Sequence, residues 1–408
     1  MRGIVNQAIV LTVVVAASIP LGALFEQAAP GGSVDAALPK DVYPDSLNRL
    51  PMVRRDDLDE RGKKAFDEAA GGAGSARGPQ GAAAIRLHGS GTNVRWASPL
   101  GRQLTELAIL TTAREHDQPY EWSLHEMEAV AVGLDPAIID IVRRRKPLLR
   151  VGEKEAIIIR TGREIFGEHR LRPETYARGL KVLGKSNLVD IVDLMAGYSG
   201  TAARLTAFNQ QMPPGWKQFL PIPFTPDDDI HPDSRSRLPL IRSQGQPAGL
   251  NLYSRQLAPE GTGPGHIGRH GRGLQSLEGS VGRRVMALAI LVTAREHHAQ
   301  YEWTVNEIAA LNDGLEPAVI DIVRYRKGPD GLAEKDAAVI EFGRELFGGH
   351  DVRSKTYSRA LKAFGERDLV DLVSLMAQHA TDAALAIAFD QHLPAGQKPL
   401  LTTLTSLP

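Results

Sequence analysis

A long internal repeat is the feature that most constrains the fold of this chain. The stretch Gly101–Lys146 aligns without a gap with Gly282–Lys327, at an offset of 181 residues. The tripeptide Tyr-Glu-Trp at 120–122 returns at 301–303 in the same register. A fixed offset held over such a length predicts one folding unit that is present twice in the chain.

The residue pattern inside each copy predicts helices and almost no strands. The first predicted helix is apolar nearly all round, which is typical of a buried central helix. Prolines fit the first turns of later helices, and glycines follow several predicted ends. The predicted helices of the first copy are Leu104–His116, Pro119–Val132, Pro136–Lys146, Glu153–Phe166, Pro173–Leu183 and Asn187–Gln210. We therefore expect an all-α fold of two tandem domains, each of about six helices.

Segments rich in proline, glycine, serine and arginine precede both copies and predict the domain boundaries. Leu50-Pro51 and Leu238-Pro239 begin similar lead-in segments, so both lead-ins are expected to wrap their domains alike. The predicted parts are a signal peptide at 1–28, an extended, flexible lead-in at 29–80, a first domain at 81–220, a linker at 221–262 and a second domain at 263–408.

The N-terminal segment has the pattern of a secretory signal. Arg2 precedes an apolar run from Ala8 to Leu24, and small residues follow it. A charged start, a short apolar core and small residues predict export to the periplasm or the cell exterior. An uncleaved membrane anchor is the alternative. No second apolar stretch of spanning length follows, so no membrane association is expected after removal of the signal.

The composition excludes several classes of function. The chain has 48 basic and 48 acidic residues, and this balance gives no reason to expect a nucleic-acid partner. It has no cysteine, which excludes disulfides, thiolate catalysis and zinc–cysteine sites.

Histidines are the remaining candidates for a metal site. No His-Glu-x-x-His spacing occurs in the sequence. Six histidines would bind a metal only if the fold brought them together, and surface or capping roles are the preferred interpretation. We therefore predict no metal and no cofactor. The six are His88, His116, His169, His297, His298 and His350.

Three residues of the first copy form a candidate acid–base set. Glu121 and His125 are four apart on a predicted helix, so they share a face. A carboxylate beside an imidazole orients the ring and raises its basicity. Glu106 lies on the preceding buried helix, where burial raises the pKa of a carboxyl group. A short turn can bring all three together, whereas a solvent-exposed Glu121–His125 ion pair is the alternative without chemistry.

The same residues carry a resemblance to a known family. The run Arg102–Leu110, the motif Tyr-Glu-Trp-x-x-His that ends at His125, and Gly133-Leu134 resemble the carboxymuconolactone decarboxylase family of the alkylhydroperoxidase-D-like superfamily. The resemblance covers roughly residues 81–214 and, more loosely, 263–394. It implies an all-α fold whose units pack into trimers or hexamers.

The resemblance also implies which chemistry is open to the chain. The cysteines of the peroxidase branch would stand at Gln118 and Glu121, so thiol-dependent peroxide reduction is excluded. The decarboxylase branch needs neither a thiol nor a cofactor. It implies that His125 delivers a proton to carbon after CO2 leaves, while Glu121 and Glu106 set its protonation.

An anionic substrate also requires a cation. Arg102 and Arg114 are the candidates, although both have arginine counterparts in the second copy and structural roles are the alternative. Trp122 is a further candidate for substrate contact, but core packing is the preferred interpretation of its indole.

The second copy departs from the first at the candidate site. Ala287 stands in place of Glu106 and Asn306 in place of His125, whereas Glu302 is kept. A neutral amide is not a general acid near pH 7. We therefore interpret the second copy as a structural partner with a degenerate site, which leaves one site per chain, in the N-terminal half.

The predicted function is that of an exported, carboxymuconolactone decarboxylase-like enzyme without a cofactor, acting on a small carboxylated or lactone compound. The alternative is a non-catalytic, small-molecule-binding or scaffold protein of the same fold. Two fused copies can also form within one chain the pair that single-copy relatives form between chains. We therefore expect a pseudo-dimer within each chain and a trimer of chains.

Overall fold

The computed structural model describes residues 38–71, 81–223, 226, 228–241, 250–251, 256–257 and 262–401. Helices dominate these residues, which confirms the all-α prediction. Among the described residues, regular β-structure is limited to two short antiparallel strands, β1 (Leu250–Asn251) and β2 (Gln256–Leu257). No described helix is both long enough and apolar enough to span a membrane. The signal peptide predicted at 1–28 lies outside the described residues.

Each copy contains six helices after its lead-in. The helices of the first lead-in and copy are α1 (Glu60–Gly71), α2 (Ala82–Arg86), α3 (Val94–Ala97), α4 (Arg102–Glu115), α5 (Pro119–Ala131), α6 (Pro136–Arg143), α7 (Glu153–Gly162), α8 (Pro173–Leu183) and α9 (Lys185–Ala207). Those of the second are α10 (Pro264–Gly268), α11 (Leu274–Val281), α12 (Arg283–Glu296), α13 (Gln300–Asn312), α14 (Pro317–Arg324), α15 (Glu334–Gly343), α16 (Ser354–Phe364) and α17 (Glu366–Ala388). A π-helical turn follows α7 and another follows α15.

The helix boundaries follow from local sequence signals. Prolines occupy the first positions of α5, α6 and α8, where the missing N–H has no intrahelical partner to lose. The Asp135 carboxylate accepts a hydrogen bond from the Ala137 N–H at 2.8 Å and so caps α6. Gly184 separates α8 from α9 with a φ of +81°, a conformation that glycine adopts without strain.

The lead-ins contain more helix than the sequence predicted. Helix α1 lies inside the lead-in expected to be extended, and α11 lies in the glycine-rich approach to the second copy. Helix α1 is mainly polar, and the ion pair between Lys63 and Glu60 at 2.9 Å spans one of its turns. The low apolar content of this segment is the reason that the sequence predicts extended chain there.

Both lead-ins also form the same turn. Each turn is hydrogen-bonded to the copy that its lead-in does not precede. Residues 41–51 and 229–239 share a sequence pattern and bury Arg49 and Arg237, respectively. The Arg49 N–H donates to the carbonyl of Phe389 at 2.9 Å, beyond the end of α17 in the second copy. The Arg237 N–H donates to the carbonyl of Phe208 at 2.9 Å, beyond α9 in the first copy. Each copy is therefore hydrogen-bonded to the lead-in of the other, a crosswise arrangement.

The hydrophobic cores are shared in the same crosswise manner. Helices α4 and α12 lie at the centres of the two cores. One core combines the first copy with the C-terminal part of α17, and the other combines the second copy with the C-terminal part of α9. Burial of apolar surface is the main stabilising force in folding. Each copy thus depends on a helix end supplied by the other.

Candidate active site

Glu106 and His125 face each other across the α4–α5 helix pair. The turn between the two helices is tight because the Gln118 side chain caps α5, accepting from the Tyr120 N–H at 2.8 Å. Glu106 is fully buried on α4 and His125 is buried on α5. The His125 Nδ1 lies 2.7 Å from the Glu106 Oε2. The fold therefore brings together two of the three residues of the predicted acid–base set.

Two arginines and a second carboxylate complete a charged network around this pair. Arg102 donates through Nη2 to Glu106 Oε1 at 2.5 Å and to Glu128 Oε2 at 2.9 Å. Arg95 of α3 forms ion pairs with both Glu128 and Glu106, the latter at 3.4 Å. Buried charges are tolerated when they are paired and hydrogen-bonded, as these are. Among the predicted substrate-binding residues, Arg102 therefore lies at the site.

Burial keeps the imidazole of His125 neutral near pH 7. Burial and the positive charges of Arg95 and Arg102 together lower the pKa of His125 to about 3, although Glu128 opposes this shift. The Glu106 carboxylate also accepts from Arg102, so it acts as an acceptor toward the ring and Nδ1 carries the ring proton. The free lone pair then lies on Nε2, which is able to accept a proton.

Glu121 does not pair with His125, which corrects the expectation drawn from their spacing. Neither of its carboxylate oxygens has a hydrogen-bond partner among the described residues. Burial raises the pKa of Glu121 well above its usual value, although Arg204 and Arg95 act in the opposite direction. The orienting carboxylate of His125 therefore comes from α4, and burial favours the neutral form of Glu121.

Two aromatic residues border the network. The Tyr198 ring, from α9, meets the His125 ring edge to face, with centroids 5.0 Å apart and planes at 89°. The Trp96 ring is 48% exposed and lies 3.8 Å from the Arg102 guanidinium carbon, while Arg95 lies 4.8 Å from it. Cations stack on indole faces favourably, so Trp96 fixes both arginines at the rim of the site.

Arg114 and Trp122, the other predicted substrate-binding residues, have partners elsewhere. Arg114 forms an ion pair with Asp117 and donates to the carbonyl of Arg143 at 2.7 Å. Trp122 is fully buried, and its indole N–H donates to Glu126 at 2.6 Å. The contact of Arg114 with Arg143 ties α4 to α6, and the Trp122 contact lies within α5. Neither involves Glu106 or His125.

The second copy repeats these tying contacts but not the site. Trp303 donates to Glu307 at 2.5 Å, and Arg295 donates to the carbonyl of Arg324 at 2.8 Å. Conservation of both contacts in the copy without the His125 imidazole supports a structural role for Arg114 and Trp122.

At the predicted degenerate site of the second copy, an amide replaces the imidazole. Asn306 donates to the backbone carbonyl of Glu302 at 2.7 Å and to its carboxylate at 3.3 Å. Ala287 offers no polar atom in the place of Glu106.

The first site has the ligand spacing of a metal centre but a different donor environment. In the described part of the chain, one nitrogen or oxygen from each of Glu106, His125 and Glu128 falls within a common 4.8 Å. Both carboxylates are already bonded to Arg95 and Arg102, and a divalent cation would have to displace those positive charges. The donor set fits an ion-pair network better than a metal centre.

Five of the six histidines singled out in the sequence gather where the two copies meet. The rings of His116 and His350 stack with centroids 5.6 Å apart, and those of His169 and His298 stack at 4.6 Å. His297 adjoins them: burial is the main cause that lowers the pKa of His116 and of His169, and electrostatic repulsion from His297 adds to it. These five residues are called the interface histidines below. Among the described residues, these histidines do not bring three ligand atoms within 4.8 Å of one another.

The residues that complete the site differ in how well they could be predicted from the sequence. Glu128 stands three residues after His125, so helical spacing already placed it on the same face. Arg95 lies before the first predicted helix, which begins at Leu104, and Tyr198 reaches the site from a helix far along the chain. Comparisons of this chain with family models, with curated proteins and with solved structures find no match. What the site does is therefore argued from its own geometry.

Proposed function

We propose that the first copy is an acid–base enzyme of the carboxymuconolactone decarboxylase type, acting without a cofactor on a small carboxylated or lactone compound. The observation that carries the proposal is the 2.7 Å contact between His125 Nδ1 and Glu106 Oε2. A buried carboxylate that holds one ring nitrogen fixes the tautomer and presents the other to a substrate. The rest of the network supplies positive charge for an anion.

Substrate binding would set the protonation of the ring. A substrate carboxylate suits the guanidinium groups of Arg95 and Arg102, since planar guanidinium binds carboxylate through paired hydrogen bonds. An anion beside His125 raises the pKa of the imidazole, because opposite charge favours the protonated form. The ring would then take up a proton at Nε2 as the anion binds, and hold it ready for transfer.

The reaction is balanced without any further reagent. The bond between the substrate carboxylate and its ring carbon breaks, and CO2 leaves. The electron pair enters the unsaturated lactone, which carries it as an enolate. The Nε2–H bond of His125 then breaks as the proton passes to carbon, and the imidazole returns to its neutral form.

The decisive experiment measures decarboxylation of γ-carboxymuconolactone by the protein and by the His125→Ala variant. In D2O the product should gain deuterium at carbon, and the variant should lose about 10²–10⁴-fold in kcat. His231→Ala, which removes an exposed histidine, is the matched control and should retain the parent rate. Turnover by His125→Ala at the parent rate, in a protein with the parent circular dichroism spectrum, would sink the catalytic assignment.

A non-catalytic binding protein is the second candidate. The observation that favours it is that Arg95 and Arg102 are already bonded to Glu106 and Glu128. A satisfied polar network rigidifies a fold without needing a substrate. A protein of this kind would bind the lactone acid in calorimetry, with His125 contributing to affinity, and would release no CO2.

Export and assembly belong to the same proposal. The N-terminal apolar run supports secretion, and the fused repeat supports a trimer of chains that rebuilds a ring of six units. Fractionation of the producing cells tests the first, and the mass from light scattering tests the second. A mass equal to a single chain would contradict the ring.

A further inference from the structure

The second copy has an imidazole at the same helix junction, but on a different helix. In the first copy His125 on α5 meets Tyr198 on α9. The repeat offset pairs His125 with Asn306 on α13, and it pairs Tyr198 with His379 on α17. The change from histidine to asparagine on one helix is therefore accompanied by a change from tyrosine to histidine on the helix packed against it.

This imidazole lies beside a buried carboxylate. His379 Nδ1 is 3.5 Å from Glu302 Oε2, and the Glu302 side chain is 2% exposed while that of His379 is 13% exposed. Asn306 Nδ2 donates to the same Oε2 at 3.3 Å, which orients the carboxylate toward the ring. His379 Nδ1 has no hydrogen-bond partner among the described residues. Acid–base pairs in ligand-free proteins are often this long and tighten when a substrate binds.

The charges around this pair differ from those of the first site. Ala309 replaces Glu128, and Leu385 replaces Arg204. Helix α11, which takes the place of α3, contains no arginine, so nothing on it corresponds to Arg95. Arg283, the counterpart of Arg102, turns to Glu278 at 2.6 Å on the protein surface. The second junction therefore lacks the paired guanidinium groups that would attract a carboxylate.

We propose that Glu302 and His379 form a second acid–base site, which takes an uncharged unsaturated lactone or a similar neutral carbonyl compound. Asn306 positions the carboxylate and is not itself an acid or base. The imidazole lies on α5 in the first copy and on α17 in the second. The second copy is therefore a rearranged site rather than a degenerate one. This site is independent of the function proposed for the first copy.

The reaction that fits this pair is a shift of a double bond into conjugation. Glu302 accepts the proton as the C–H bond next to the lactone carbonyl breaks. The electron pair moves into the carbonyl as a dienolate, whose oxygen accepts a hydrogen bond from a ring N–H of His379. The same proton then returns from Glu302 to the far carbon of the dienolate. Nothing is oxidised or reduced, and no co-reactant is needed.

The test uses α-angelica lactone, an uncharged β,γ-unsaturated lactone, and follows its conversion to the conjugated isomer by NMR. His125→Ala should convert it at the parent rate, which separates this activity from the first site. Glu302→Gln and His379→Gln should each lose at least about tenfold in rate. Gln378→Ala, an exposed neighbour of His379 on α17, is the matched control and should leave the rate unchanged.

A second measurement separates acid–base action from a structural role. If Glu302 acts as the base, Glu302→Gln should lower kcat and leave KM nearly unchanged, because the amide fills the same space but accepts no proton. The proposal is overturned if the full chain does not convert the lactone. It is equally overturned if conversion survives both substitutions, or if Glu302→Gln raises KM and leaves kcat unchanged.

Discussion

The main difference between the two copies lies at one helix junction. It is formed by α4, α5 and α9 in the first copy and by α12, α13 and α17 in the second. A few residues away, the copies share a frame. Trp122 on α5 donates to a glutamate at 2.6 Å, and Trp303 on α13 does the same at 2.5 Å. At the junction itself, by contrast, Glu106 and Glu128 have become Ala287 and Ala309.

The difference shows how a charged site is lost without loss of the fold. Removing one member of a buried ion-pair network leaves the others unpaired, which is strongly destabilising. The second copy lacks both carboxylates of the first network and has no arginine on α11. Arg283, the member of the set that the second copy keeps, pairs with Glu278 at 2.6 Å instead. The frame is therefore needed for folding in both copies, whereas the network serves the first site alone.

Removing Glu106 alone should give the largest effect on stability. Glu106→Ala leaves Arg102 and His125 without their fully buried partner, and we expect a loss of about 3–5 kcal/mol in the free energy of unfolding. Urea denaturation followed by circular dichroism measures this. Ala287→Gly, at the equivalent position of the second copy, removes no charge and should lose only about 1 kcal/mol.

A variant that imitates the second copy sharpens this comparison. Adding Arg95→Ser, His125→Asn and Glu128→Ala to Glu106→Ala removes both carboxylates, the imidazole and one guanidinium group of the network. Arg102 is kept, as its counterpart Arg283 is kept in the second copy. We expect this quadruple variant to be more stable than Glu106→Ala by at least about 1 kcal/mol, because fewer unpaired charges remain buried. If the loss of stability in the quadruple variant equals the sum of the losses in the four single variants, the network is a collection of independent contacts.

The interface histidines should behave alike in the two copies, unlike the residues of the junctions. Burial lowers the pKa of His116 to about 3 and that of His297 to about 4, with repulsion from His350 contributing to both. The unfolded chain has ordinary imidazoles near 6.5, so it binds more protons than the folded chain below that pH. Stability is therefore complete above about pH 6.5 and falls as the pH drops toward 3 or 4, by about 1.4 kcal/mol per pH unit for each such histidine.

Substitution of a single interface histidine tests this. Between pH 7 and pH 5, His116→Gln should lose about 2 kcal/mol less stability than the parent protein, and His297→Gln should behave similarly. Urea denaturation at the two pH values measures the difference. His231→Gln removes an exposed histidine and should follow the parent curve. Equal pH dependence in all four proteins would mean that the interface histidines titrate normally in the folded chain.

The sequence predicted the elements of this site better than its pairings. Prolines, glycines and an apolar α4 gave the helices, and the family resemblance pointed to Glu106 and His125. Helical spacing alone predicts Glu121 as the partner of His125. Side chains four residues apart share one face of a helix, but the partner of a buried side chain on that face comes from the helix packed against it. Only the packing of α4 against α5 shows that Glu106 takes that place.

Residues that reach the site from outside the α4–α5 pair were beyond sequence reasoning. Arg95 lies on a four-residue helix, too short to leave a periodic pattern. Tyr198 and its counterpart His379 lie on long helices whose orientation depends on the crosswise packing of the copies. The repeat offset nevertheless contained a usable signal, because the histidine lost at Asn306 and the one gained at His379 become visible once both copies are aligned.

The smallest predicted effect concerns the crossing of α9 and α17, where the copies also differ. Gly200 corresponds to Thr381, and the Thr381 hydroxyl donates to the carbonyl of Ala196 at 3.0 Å across the crossing. A Cβ added at Gly200 would lie 2.9 Å from the carbonyl oxygen of Ala377 and 2.8 Å from Thr381 Oγ1. The glycine of the first copy therefore leaves the space at the crossing that the threonine of the second copy occupies.

Gly200→Ala should therefore destabilise the protein by about 1 kcal/mol, since strain of about 1–3 kcal/mol exceeds the gain of about 1 kcal/mol in helix propensity. Gly197→Ala, on the same helix with open space around it, receives only the gain and should stabilise by about 0.5–1 kcal/mol. Thermal or urea unfolding of the two variants measures the contrast. Stabilisation by both alanines would show that the two helices can separate at the crossing, and that the glycine–threonine pair does not hold the copies in register.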